Sequence, residues 1–306
     1  MAQPPRAASD ADDALPDFPR PGRAGTTTQH LLVTLVVEVW WHPQHEWLPA
    51  RVITRLAADL GISAGATQSA LSRLAARRVL EQANAGRYST YRLTPAARVG
   101  LLRGLRQVAR FGRRSDWDRR WTVLTFSVPE SDRDRREYLR GRLEWLGFGS
   151  LYAGMWLSAR VEPDDLEAVC REAAVTDYVV MTVCHDDIRG KDPVLAWDLE
   201  QVRQQYRPFL QWAEGVEQRL RTGRLSDEEC FGLRIRLVDR WRAFPWEDPD
   251  LPSEVLGGEW TGTRAAQQFR DLYAGLAPGA LAHARTVVSE LAPELTELVS
   301  LQTLPV

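Results

Sequence analysis

The chain has 306 residues, with 44% hydrophobic and 26% charged side chains and a formal net charge of -2, the make-up of a folded protein with room for two or three domains. No apolar run approaches the roughly 18 residues that span a bilayer, and the N-terminus lacks the basic and apolar regions of a secretory signal, so a cytoplasmic protein without membrane contact is expected. Cys170, Cys184 and Cys230 stand alone without CxxC spacing, a pattern of buried thiols rather than of disulfides or a zinc site.

Residues 1–25 are rich in Pro, Ala, Asp and Gly, have little to bury and are expected to form a disordered tail. A helix is predicted from about Thr26–Thr28 through Val37, apolar nearly all round and therefore a central support. His42 and His45 flank Pro43, which breaks the helix, and no carboxylate or cysteine cluster completes a metal site there.

The stretch Thr54–Thr94 carries the most information. Arg55–Leu60 places Leu56, Ala57 and Leu60 on one helical face, and Gly61 allows a sharp turn. Ser63 can cap a second helix whose apolar stripe is Ala66, Ala70, Leu71 and Leu74. The opposite face carries Gly65, Gln68, Ser69 and Ser72, flanked by Arg73 and Arg77. Small polar groups edged by arginines suit close approach to a major groove, where Gln68 can pair with adenine and Arg73 with guanine or phosphate. Leu80–Leu93 then reads as a hairpin turning at Asn84-Ala85-Gly86. Arg87 at its tip, with Ser89 beside it, can meet a minor groove or a phosphate. That order of parts is a winged helix-turn-helix, predicted over residues 26–94, with these polar and basic residues as candidate DNA contacts and double-stranded DNA as the partner.

Residues 95–115 predict an arginine-rich connecting helix. From 116 to 190 the order is strand (Trp121–Val128), helix (Asp132–Leu146), a strand pair turning at Gly154, a helix opened by Pro163, and a strand (Asp177–Cys184), the order of a ferredoxin-like sandwich. Residues 191–306 are mostly helical by pattern, and the stretch FPWEDPDLP is too rich in proline to be helix, so it reads as a rigid corner on Trp241 and Trp260. The fold class is therefore α+β and multidomain, with a helical C-terminal domain. Tryptophan clusters suit an apolar pocket or, more commonly, a core.

Charge divides unevenly along the chain. Residues 26–115 hold 13 basic and 4 acidic groups, a net of +9, whereas 116–225 and 226–306 come to -4 and -6. A basic patch confined to the winged segment is the electrostatic footprint of a polyanion. Phosphate-loop, dinucleotide, nucleophile-elbow and HExxH motifs are missing from the sequence, and His185 with Asp186 and Asp187 reads as a charged strand end. No enzyme activity, metal or cofactor is predicted. A metal-dependent nuclease built on the middle domain would need a carboxylate near the end of the first strand, and Thr122–Val128 holds none. An acyl-CoA-binding enzyme is the other alternative, and it lacks a nucleophile motif.

The sequence resembles the PaaX-type transcriptional repressors of phenylacetate catabolism. The resemblance rests on Ala70-Leu71-Ser72-Arg73-Leu74, on Gly86-Arg87 through Thr94, on Trp117-Asp118 with Trp121, on Leu139 through Gly149, on Trp156, and on Trp241-Arg242-Ala243-Phe244-Pro245 with Asp248-Pro249 and Leu251-Pro252. Gln68 stands where that family more often carries arginine. The resemblance implies a middle domain sharing the fold of a small nuclease subunit of CRISPR adaptation, and repression released by an acyl-CoA effector, typically phenylacetyl-CoA. Regulators of this kind bind near-palindromic operators as homodimers.

Overall fold

The computed structural model describes residues 27–40, 47–85, 88–112, 117–161, 163–256 and 260–303. The N-terminal tail, His42, His45, Gly86 and Arg87 lie outside the described residues. Chain order begins with α1 (Thr28–Val39), β1 (Leu48–Pro49), α2 (Ala50–Asp59), α3 (Ala64–Ala76), β2 (Leu80–Ala85), β3 (Tyr88–Leu93) and α4 (Pro95–Arg110). It continues through β4 (Arg120–Phe126), α5 (Arg133–Trp145), β5 (Gly149–Tyr152), β6 (Met155–Ser158), α6 (Pro163–Glu172) and β7 (Tyr178–Cys184). The remainder is helical: α7 (Leu199–Arg221), α8 (Asp227–Trp241), α9 (Phe244–Glu247), α10 (Ser253–Leu256), α11 (Thr261–Gly275) and α12 (Ala277–Leu291). The class is a mixed α+β fold with two small sheets and a helical C-terminus, as expected.

Two compact units result, and neither is continuous in sequence. One takes the described residues up to Ala109 together with Gly223–Asp239 and those from Tyr273 onward; the other takes Arg110–Thr222 with Arg240–Leu272.

In the first unit, α1 is the axis. Every residue from His30 to Val39 is buried, as expected of a helix apolar on all sides. Its N-terminus is capped by Thr27, whose side chain accepts from the His30 amide at 3.3 Å. Around α1 pack Leu56, Ala57, Leu71 and Leu74 of α2 and α3, and into the same core come Phe231 and Ile235 of α8 and Ala280, Ala284 and Val287 of α12. A three-stranded sheet of order β1-β3-β2 closes one side. Its third strand, the two-residue β1, pairs Leu48 with Tyr91 and Pro49 with Thr90; a piece so short has no readable alternation. The helix preceding Gly61 also begins earlier than predicted, at Ala50 rather than Arg55, because Val52 and Ile53 are both fully buried and extend the same apolar face.

Residues 299–302 return to α1. The Gln302 amide donates to the Glu38 carbonyl at 2.8 Å, and Glu38 itself, 1% exposed, pairs with Arg234 of α8 at 3.0 Å. Tyr273 donates from its hydroxyl to the same carboxylate at 3.0 Å.

The second unit holds an antiparallel sheet of order β5-β6-β4-β7. One face packs Leu124 and Trp156 against Leu139, Leu143, Leu166 and Val169 of α5 and α6. On the other face lie Trp121, Val123 and Leu157 with Leu251 and the partly buried Trp197. The helical remainder has an aromatic core in which Trp241 stacks on Phe269 with centroids 4.8 Å apart, and Tyr206 stacks on Phe244 at 4.4 Å. The tryptophans here are packing groups. The stretch FPWEDPDLP departs from the expected loop: Phe244–Glu247 forms one helical turn, since Pro245 occupies the first-turn position where its missing N–H costs nothing. The rigid-corner expectation holds beyond it, where Asp248 accepts from Tyr206 at 2.6 Å and from Trp260 at 2.9 Å. Burial raises the Asp248 carboxyl against the opposing pull of those donors.

Candidate nucleic-acid interface

The site is built on α3. Ser63 stands at its N-cap and accepts from the Ala66 amide at 3.3 Å, satisfying one of the unpaired first-turn donors. Ala70, Leu71 and Leu74 are completely buried, and so is Thr67, whose hydroxyl turns back to the Ser63 carbonyl at 3.0 Å. That buried stripe fixes the rotation of the helix, so the residues a third of a turn and more away must face outward. Gly65, Gln68, Ser69, Ser72 and Arg73 are all exposed, at spacings of three and four that place them on one face. Nothing in that group is apolar or acidic. Arg73 forms no ion pair among the described residues.

The turn before α3 depends on Gly61, with φ at +81°, a backbone region that side-chain-bearing residues avoid. The amides of Leu60, Gly61 and Ile62 bond back to Ala57 and Ala58 at 2.9 to 3.1 Å, so the corner between α2 and α3 is tight.

Two predicted contacts are positioned differently from the others. Arg77 is half-buried and donates to Gln29 of α1 at 3.2 Å, so its guanidinium ties α3 to the central helix. Ser89 sits in the ladder opposite Asn84, accepts from Gln82 at 3.2 Å and donates to Asn84 at 3.3 Å. Tyr91, in the same strand, is 1% exposed. Burial pushes its phenol up, and the neighbouring Gln68 side chain opposes the shift. No hydrogen bond of normal geometry reaches the Tyr91 hydroxyl among the described residues, so Gln68 lies beside it on the exposed face of α3.

Sequence reasoning missed a second group of cations. The Arg51 guanidinium lies 4.5 Å from the ring centroid of Tyr88, which is 57% exposed at the start of β3. Arg92 lies 4.6 Å from the Trp47 ring centroid and pairs with Glu81 across the hairpin at 2.7 Å. Arg51 gave little signal, because its contact is made by a residue 37 positions away. The cross-strand Arg92–Glu81 pair follows from register once the hairpin is placed.

Elsewhere the described residues hold no group of three or more His, Cys, Asp or Glu side chains able to bind a metal, and none of their helices is long and apolar enough to cross a membrane. β4 carries no carboxylate, and Glu130 just beyond it is engaged by Arg136 at 2.9 Å. His185 sits against the Trp121 indole N–H at 3.2 Å, while Arg119 pairs with Asp186 and holds that carboxyl below its ordinary range.

Three family models match consecutive parts of the chain: "PaaX-like protein" over residues 27–97, "PaaX protein central Cas2-like domain" over 114–195, and "PaaX-like protein C-terminal domain" over 197–286. The transcriptional repressor PaaX of Escherichia coli (strain K12) is 26% identical over 245 residues, a span that covers 77% of this chain and 76% of that protein. An uncharacterised Mycobacterium tuberculosis protein, Rv0674, has a solved structure similar to 84% of this chain and 98% of its own, with a TM-score of 0.54 and 22% identity, a likeness of fold alone.

Proposed function

We propose that this chain, which belongs to the PaaX-like protein family, is a sequence-specific DNA-binding repressor that reads its operator through α3. The observation that carries the reading is the outward face of α3: small polar groups and an arginine without an ion pair among the described residues, inside the one strongly basic segment of the sequence. A face without bulk lets a helix sink into a major groove until Gln68 and Arg73 reach base edges.

In this reading residues 26–94 are a winged helix-turn-helix. The order α2, Gly61 corner, α3 and β2–β3 hairpin supports it, with the hairpin as wing. Residues 95–115 connect it to a ferredoxin-like domain over 116–190, supported by the βαββαβ order and the strand arrangement β5-β6-β4-β7, and residues 191–306 form the helical C-terminal domain. The protein acts in the cytoplasm as a homodimer on a near-palindromic site, because two-fold symmetry doubles the contacts one recognition helix can make. Its effector is an acyl-CoA of the phenylacetyl-CoA type, which releases DNA by binding the DNA-incompetent arrangement more tightly. It is a regulator and not an enzyme; the absence of a carboxylate on β4 disfavours a nuclease of the metal-dependent kind.

Fluorescence anisotropy of the purified protein on its own promoter region, at two salt concentrations and with or without phenylacetyl-CoA, tests the whole reading. Tight binding released by the ester is expected, and Arg73→Ala is expected to weaken operator binding by about 1 to 3 kcal/mol. Binding no tighter than to random DNA would sink the repressor reading, and tight binding indifferent to the ester would remove the effector alone.

A further inference from the structure

The helix in front of the recognition helix is held at both ends by segments that lie more than 170 residues further along the chain. At its start, Arg51 donates through Nε to the carbonyl of Leu291, the last residue of α12, at 2.8 Å. At its end, Asp59 meets the Nε2 of His283, on the middle of α12, at 2.8 Å. One residue on, the carbonyl of Leu60 accepts from the Nη2 of Arg236 on α8, also at 2.8 Å. The ring of His283 is itself seated against Phe231 of α8, with centroids 5.4 Å apart.

These contacts fall on the corner that sets the direction of α3. Leu60 is the C-cap of α2, one of the residues whose carbonyl has no partner inside the helix, and a cation placed there meets the negative end of the helix dipole. Gly61 follows at once, and Ser63 caps α3 two residues later. No bulky group braces the turn from outside: a side chain added at Gly61 would meet nothing within 4 Å. The angle between α2 and α3 is set by the packing of their buried stripes on α1 and by the local amide bonds of the corner, and the two side chains that grip the end of α2 add to both. Arg55, on the exposed side of α2, is engaged by Asp59 and feels Glu228 of α8 and Glu290 of α12, so the flank of α2 turned to those helices is acid-lined and separate from the polar face of α3.

We infer that Arg236 and His283 are positioning residues for DNA reading: by holding the C-terminal end of α2 they set the angle at which α3 presents Gln68 and Arg73. The inference rests on the repressor reading. A grip that orients a helix affects specific and nonspecific binding unequally. Base-edge contacts are lost by a misplacement of about 1 Å, of the kind that removes hydrogen bonds outright, whereas phosphate attraction is long-ranged and tolerant.

The test compares Arg236→Met and His283→Phe, which keep bulk and remove the donor, with Arg236→Lys and His283→Gln, which keep one. Arg236 is exposed, so its variants separate the grip from folding. In folded protein, verified by circular dichroism, the Met and Phe variants are expected to lower the ratio of operator to random-DNA affinity at least tenfold. Random-DNA affinity should stay within about twofold and the salt slope unchanged, with Lys and Gln recovering most of the ratio. Amides from Ile62 to Thr67 are expected to exchange faster with deuterium in Arg236→Met than in wild type. A ratio unchanged in folded Arg236→Met, with wild type preferring its operator, overturns the positioning role while leaving the repressor reading intact. Failure of the wild type itself to prefer any operator removes both.

Discussion

Glu38 is the residue whose setting is most demanding. It lies in α1 among leucines and valines, is 1% exposed, and is matched by Arg234, whose guanidinium also donates to the carbonyls of Tyr273 and Gln302. The Arg234 guanidinium sits 3.6 Å from the Tyr273 ring centroid. Burial outweighs these partners and raises the Glu38 carboxyl from 4.5 to about 7. The folded chain thus keeps a proton that the unfolded chain releases near its ordinary value. The contribution of this group to stability is fullest below about pH 4.5 and is lost as pH rises through about 7. Glu38→Gln, which replaces the protonated acid by a neutral group of the same shape, is expected to cost only about 1 kcal/mol below pH 7 and to flatten this pH response. Denaturant titrations between pH 4.5 and 7.5 should show wild type losing stability relative to the variant as pH rises; a constant difference would mean that Glu38 titrates as an ordinary carboxyl. A lone acid in an all-buried helix announces in the sequence that a partner is needed. It does not say which of the 39 basic residues supplies it.

The elements of the interface depend on local chemistry that short stretches encode. Ser63 caps α3 and Gly61 turns the corner, both legible from residue type and position. Ser63→Ala is expected to destabilise the protein by about 1 kcal/mol, visible as a lowered Tm, and to loosen the first turn of α3. An unchanged Tm would mean that solvent satisfies the Ala66 amide as well as the Ser63 hydroxyl does. Legibility ended where an element is defined by its neighbours. α2 starts at Ala50 because its first turn is covered by core, and β1 exists because β3 offers it two partners. Arg77 has the same helical phase as a groove-facing arginine, yet Gln29 captures it, a competition that spacing alone does not resolve.

At the scale of the molecule, the elements of the proposed DNA interface are not self-sufficient. Phe231, Ile235, Ala280, Ala284, Val287 and Val288 all belong to the core that surrounds α1, so a fragment ending near residue 110 would expose that surface and leave Glu38 without Arg234. Such a fragment is expected to show helical far-ultraviolet but weak near-ultraviolet circular dichroism, and rapid proteolysis compared with the full chain. A fragment as protease-resistant as the full chain would show that the late helices are dispensable to this core.

What the sequence determined by itself was the set of local elements, the small polar face of α3 and the concentration of positive charge, since periodicity, caps and charge counts are properties of residues near one another in the chain. The tertiary structure decided which helices share a core and which buried charges meet. Arg51 and Leu291 are 240 residues apart, Asp59 and His283 are 224 apart, and Glu38 and Arg234 are 196 apart. Apolar stripes on α7, α8, α11 and α12 have the same period and similar composition, so pattern alone makes them interchangeable partners for α1 and α2. Only the fit of side chains in three dimensions, with Arg234, Arg236 and His283 given partners on α1 and at the end of α2, selects α8 and α12.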